Sequence, residues 1–197
     1  MNAANLGMTE TDLKSKIHGL AAGYAMFNLL KLWNDNRLKF GEWNDRPVDD
    51  NKAQEMYNSI LTHGDQGLDP DNFVELVAHK HLIDFSALSA DMHAGSSLPE
   101  LVVIMEAFTL DDILHLAGGR HRLNALLKWS ADVQKLLEEC EQRIEYLKSL
   151  GEDENKDDDS SDTISALEEK VSGLTALKDR MGMWGARVFD WGTFSPD

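Results

Sequence analysis

The fold of this chain is decided by Ile113-Leu114-His115-Leu116-Ala117-Gly118-Gly119-Arg120-His121-Arg122-Leu123-Asn124-Ala125-Leu126. Residues 113–117 are apolar enough to form a buried strand. The run stops at a Gly-Gly turn and passes directly into helical spacing at Arg120. A strand, a glycine turn and a helix start together make a device for anions. The first N–H groups of a helix lack internal partners, and its dipole leaves partial positive charge there. Gly118 and Gly119 carry no Cβ to block a ligand from the backbone. Arg120, His121 and Arg122 put basic side chains in the first turn, where the dipole disfavours them, and that suits an anion seated against them. The same residues also suit a solvated first turn whose cations pair with the chain's own carboxylates.

The chain has 197 residues, 42% of them hydrophobic, enough for one full core with an appendage. Its formal charge of −16 opposes binding to nucleic-acid phosphates or anionic membranes, save at a local basic patch. Residues 120–122 are the densest such patch, and their number suits a small ligand better than a duplex. The single cysteine, Cys140, rules out an internal disulfide and a multi-cysteine zinc site, and fits a reducing compartment. No basic n-region opens the chain, and no apolar run is long enough to cross a bilayer. The expectation is a soluble intracellular protein, cytoplasmic or nuclear, with no membrane partner.

Upstream, Thr9 and Asp12 resemble a capping box, and Leu13, Ile17, Leu20, Ala21, Tyr24, Phe27 and Leu30 follow at helical intervals. This predicts a helix over 9–33, packed on the core or, alternatively, offered to a partner. Pro47 holds Arg46 out of helical geometry, so 38–47 is expected to be extended. Asp49-Asp50 opens a short helix that carries Ala53, Met56, Tyr57 and Ile60 and ends near His63-Gly64. A Gly/Asp/Pro turn then leads to a strand over 73–77. His79 and His81 are taken as a solvated pair rather than metal ligands, since no third ligand lies near in sequence. Residues 82–97 are irregular or briefly helical, and 101–105 is expected to be a strand that turns through 108–112 into the central one.

Downstream, Val133, Leu137, Cys140, Ile144 and Leu147 alternate steps of four and three, a coiled-coil seam. A helix continuous to Leu150 measures roughly 45 Å at about 1.5 Å per residue, so its far half must leave the globular body. Gly151 stops it, and 152–162 is an acidic loop without apolar residues, in which Ser160 and Ser161 are candidates for phosphorylation. A second seam, Ile164, Leu167, Val171, Leu174, Leu177 and Met181, completes an antiparallel helical hairpin. Cys140 lies on the first seam and so belongs to core packing. Residues 184–191 return as a strand or extended segment. The expected architecture is an α+β fold with a small mixed sheet. An N-terminal helix covers 1–36, a core 37–130, the hairpin 131–182 and a returning segment 183–197.

Gly119-x-x-Arg122-x-x-Ala125 resembles the G-x-x-R-x-x-A signature of the ParB/sulfiredoxin-like superfamily. Gly118-Gly119-Arg120-His121-Arg122 is similar to the sulfiredoxin signature G-G-C-H-R, with one substitution. Arg46-Pro47, followed by a short helix ending in Ser59-Ile60, keeps the same order of parts, so the resemblance runs over 40–129. It implies an α+β core whose glycine turn and helix start hold nucleotide phosphates. Position by position, it implies contacts from Gly118, Gly119, His121 and Arg122, from Arg46 on the earlier strand, and from Lys52 and Ser59 on the short helix. Arginine supplies paired donors to a phosphate and lysine a point charge. The implied cofactor is ATP or CTP with magnesium.

Two departures limit that reading. Arg120 stands where sulfiredoxin carries its catalytic cysteine, so sulfinic-acid reduction has no nucleophile. Cys140 lies about five helical turns away. Glu55 falls where a small polar residue is expected, and its carboxylate repels phosphate unless it binds metal or pairs with Lys52. No helix-turn-helix follows, only an acidic hairpin, which argues against sequence-specific DNA binding.

Two functions remain. One is nucleotide-dependent chemistry, since the superfamily includes nucleotide hydrolases, a free-serine kinase and nucleases. Glu42, Asp45 and Glu55 are then the candidate bases or metal-holding carboxylates, with turnover left open. The alternative is a non-catalytic protein-interaction module whose hairpin engages a partner protein or a second copy of the chain. A nuclease sits badly with the charge of −16 and has no clustered metal carboxylates in the sequence.

Overall fold

The structure, a computed structural model, describes residues 20–41, 47–92, 97–109, 112–150 and 163–193. Among them the elements in chain order are β1 (Gly23–Asn28), α1 (Leu29–Asn34), β2 (Leu38–Phe40), α2 (Asp50–His63), β3 (Val74–Ala78), β4 (Leu114–Leu116), α3 (Arg120–Leu150), α4 (Ile164–Arg180) and β5 (Met183–Asp190). The strands form one mixed sheet in the order β1-β5-β3-β4-β2. Pairs β1–β5 and β3–β4 are antiparallel, whereas β3–β5 and β2–β4 are parallel. The class is α+β, as the patterning indicates. One face of the sheet carries Val74, Leu76, Leu114, Leu116, Ala186 and Val188, all buried in one cluster with Leu123, Leu126 and Trp129 of α3.

The expected helix over 9–33 is not what forms where it is described. Residues 1–19 lie outside the described residues, and 23–28 make a strand. Tyr24, Phe27 and Leu30 do recur at helical spacing, but the buried set is Gly23, Ala25 and Phe27, a period of two. Pairing from Gly23↔Val188 to Asn28↔Met183 imposes that period and overrides the local pattern. Helix begins only after Asn28, whose side chain accepts the Lys31 N–H at 2.8 Å.

The expected strand over 101–105 is also replaced. Val103 makes a lone bridge with Ile83, and 105–107 is a short 3-10 turn. Leu101 is buried, but Val102, Ile104 and Met105 are exposed, so this apolar run has no sheet face to fill. By contrast, β3 and β4 fall within a residue of the expected 73–77 and 113–117. The segment expected to be irregular or briefly helical, 82–97, holds a 3-10 turn at Phe85–Ala87, and 93–96 lie outside the described residues.

Helix α2 follows its sequence signals. The Asp49 carboxylate accepts the N–H groups of Asn51 and Lys52 at 3.1 and 3.3 Å, and Gly64, at φ 78°, ends the helix. Helices α3 and α4 form the expected antiparallel hairpin. Lys178 reaches Gln134 at 2.6 Å near its base, and Lys148 meets Glu168 at 2.9 Å further out. The seam packs in two pieces. Val133 and Leu137 join the main core, whereas Cys140, Leu147 and Leu167 make a separate cluster beyond it. The acidic loop over 152–162 lies outside the described residues. No helix among the described residues is long and apolar enough to cross a membrane.

Candidate functional site

Strand β4 delivers the chain to Gly118 and Gly119 beside β3, where the Ala117 N–H donates to the Glu75 carbonyl at 2.9 Å. Gly119 has φ +89°, and a Cβ on it would stand 2.8 Å from Val74 Cγ1, so the turn requires glycine there. Gly118 carries no such demand. Its nearest neighbour would be Glu75 Oε2, at an ordinary 3.8 Å. The Glu75 carboxylate therefore borders the turn and repels an anion approaching over Gly118.

Successive residues of a helix point about 100° apart, so three consecutive cations cannot share one face. The structure disperses them accordingly. The Arg120 guanidinium lies over the Phe40 ring of β2, 4.7 Å from its centroid. His121 Nε2 accepts the Asp49 N–H at 3.0 Å, tying the start of α2 to the start of α3. Arg122 turns toward 70–72, where Nη1 donates to the Asn72 carbonyl at 2.9 Å and Nη2 lies 3.4 Å from Asn72 Oδ1.

Of the residues expected at the site, Ser59 and Arg122 are brought to one place. They line a cleft of about 110 Å³ together with Met56, Gln66, Asn72 and Trp184. Ser59 is exposed, its Oγ 3.5 Å from His63 Nδ1. Lys52 is exposed on the first turn of α2, near His121 through Asp49 but not in that cleft. Glu55 is exposed and likewise outside it. Arg46, Glu42 and Asp45 lie outside the described residues.

Three further residues complete the site. The Asn72 carbonyl also accepts the Trp184 indole N–H at 2.8 Å. Arg187 of β5 donates to the Pro70 carbonyl at 3.0 Å, and its Nε is buried without a hydrogen-bond partner. Thus two half-buried guanidinium groups converge on one short turn. Burial, and then the neighbouring charge of Arg187, push the Arg122 pKa below its usual value, while Glu75 acts in the opposite sense. Among the described residues no carboxylate lies within 4.0 Å of either guanidinium. One sequence signal could have found Arg187, a charge set inside the apolar run 183–189, but only the strand pairing shows where it goes. Asn72 had none, since it sits in an ordinary Asp/Pro turn.

On the opposite side of the sheet from the core, Trp191 lies between His79 and His115, at centroid distances of 5.1 and 4.9 Å. His79 in turn stacks on the exposed His81 at 5.6 Å. Among the described residues no three His, Cys, Asp or Glu side chains are grouped to hold a metal. No family model, curated protein or solved structure matches this chain.

Proposed function

We propose that this chain binds the phosphate group of a small phosphate ester in the cleft between α2 and the start of α3, with Arg122 as the principal donor, Ser59 opposite it and Arg187 behind. The observation that carries the reading is the pair Arg122 and Arg187. Both are half-buried and held by backbone carbonyls rather than carboxylates, and the charge of one lowers the pKa of the other. Gathering positive charge that no described carboxylate pairs within 4.0 Å, and that Glu75 offsets only from further away, costs free energy, and in a chain of net charge −16 carboxylates are plentiful. An anionic ligand removes that cost. A guanidinium also presents the planar fork that matches two phosphate oxygens. Nucleotides such as ATP and CTP, with or without magnesium, belong to the ligand class, and the resemblance of Gly119-x-x-Arg122-x-x-Ala125 favours them.

The reading is tested by calorimetric titration of the full chain with pyrophosphate, ATP and CTP, with and without Mg²⁺. Binding is expected in the wild type and lost in Arg122→Ala. Equal heats from the two proteins, or none from either, remove it.

A further inference from the structure

Seven residues after Arg122, and so about two turns along the same face of α3, stands Trp129. The two positions are roughly 10 Å apart along the axis at about 1.5 Å per residue. A second, larger cleft of about 740 Å³ opens at Trp129. Its wall takes Met26 from β1, Leu68 from the loop after α2, Met181 from the end of α4 and Met183 from β5. Gly64 and Gln66 line both clefts, so one loop borders the polar and the apolar space together. The larger space has the size of a small-molecule site, and the smaller one has room only for a group such as phosphate.

We infer that the phosphate at Arg122 belongs to an aromatic ester whose ring occupies the Trp129 cleft. This deepens the phosphate reading and rests on it. Three methionines in one wall favour a ring over an alkyl chain, because thioether sulfur makes attractive contacts with aromatic edges. Charge sets the direction. Asp65 and Asp69 line the large cleft against one arginine, Arg180, and repel a phosphate placed there. Among the described residues, Arg122 lines the small one and no carboxylate does. The ligand therefore lies along α3 with its anionic end at the helix start.

The test compares methyl phosphate with naphthyl phosphate, by calorimetry, on the full chain. Wild type is expected to bind the naphthyl ester at least about tenfold more tightly. Leu68→Ala and Met26→Ala are each expected to shrink that ratio and leave methyl phosphate unchanged. Because they sit on separate elements, one remains usable if the other fails to fold. Arg122→Ala weakens both esters. Equal affinity for the two esters overturns the ring placement and leaves the phosphate reading standing. So does a preference that survives both apolar substitutions. Absence of binding by either ester overturns both readings.

Discussion

Arg122 Nη1 donates to the carbonyl of Asn72 at 2.9 Å, and the same residue's amide oxygen lies 3.4 Å from Nη2. An amide holds a guanidinium in place without neutralising it. Asn72→Asp places a carboxylate beside Arg122 and offers it an internal ion pair. The variant is expected to melt no lower than wild type and to bind pyrophosphate about tenfold more weakly. Melting curves and titration calorimetry read the two effects. Unchanged affinity would mean that Arg122 does not meet the ligand.

On the proposed phosphate reading, Glu75 works against the ligand and for the fold. It is the register partner of Arg187, borders Gly118 and opposes the lowering of the Arg122 pKa. Glu75→Gln is therefore expected to tighten pyrophosphate binding several-fold while lowering stability by about 1 kcal/mol. Urea unfolding and calorimetry on one preparation give both signs. If the two change in the same direction, Glu75 does not play this double part.

The two glycines of the turn are expected to differ. Gly119→Ala meets both a φ of +89° and the Val74 side chain at 2.8 Å, so a loss of about 2 kcal/mol or more is expected. Gly118→Ala meets only an ordinary contact at 3.8 Å and is expected to fall within about 0.5 kcal/mol of wild type. Urea midpoints measure both. Equal losses would contradict the turn geometry.

Local signals in the sequence located α2, with Asp49 at its start and Gly64 at its end, and the length of α3, because each is written in a cap or a repeating seam. They failed where tertiary pairing decided the outcome. Residues 23–28 satisfy two periods at once, and only the presence of β5 chooses between them. Of the residues the resemblance marked, Ser59 and Arg122 share one cleft, whereas Gly119 shapes the turn beside it. Arg187 and Asn72 were not marked, because Trp184 of β5 lies 112 residues from Asn72, and only the sheet order brings β5 to the 70–72 turn. The basic triplet 120–122 was legible as composition but misleading as geometry, since helical rotation sends Arg120 to Phe40 and His121 to Asp49.

Asp112 marks an acid-sensitive contact away from the site. The Thr109 N–H and hydroxyl donate to it at 3.0 and 2.8 Å, and His81 Nε2 lies 3.1 Å from its other oxygen. These bonds, the Thr109 N–H first, hold its carboxyl down from 3.8 to about 2. Because the folded value is the lower one, the contribution to stability is present above pH 3.8 and lost as pH falls through about 2. Asp112→Asn is expected to flatten the loss of stability across that window, followed by circular dichroism during acid titration. A slope equal to wild type would place the acid sensitivity elsewhere.

The most direct measurement is a crystal structure of the full chain soaked in pyrophosphate. The anion is expected in the cleft beside Ser59, with the Arg122 guanidinium drawn from the Asn72 carbonyl onto phosphate oxygens. An empty cleft, with Arg122 still bonded to Asn72, would contradict phosphate binding at this site.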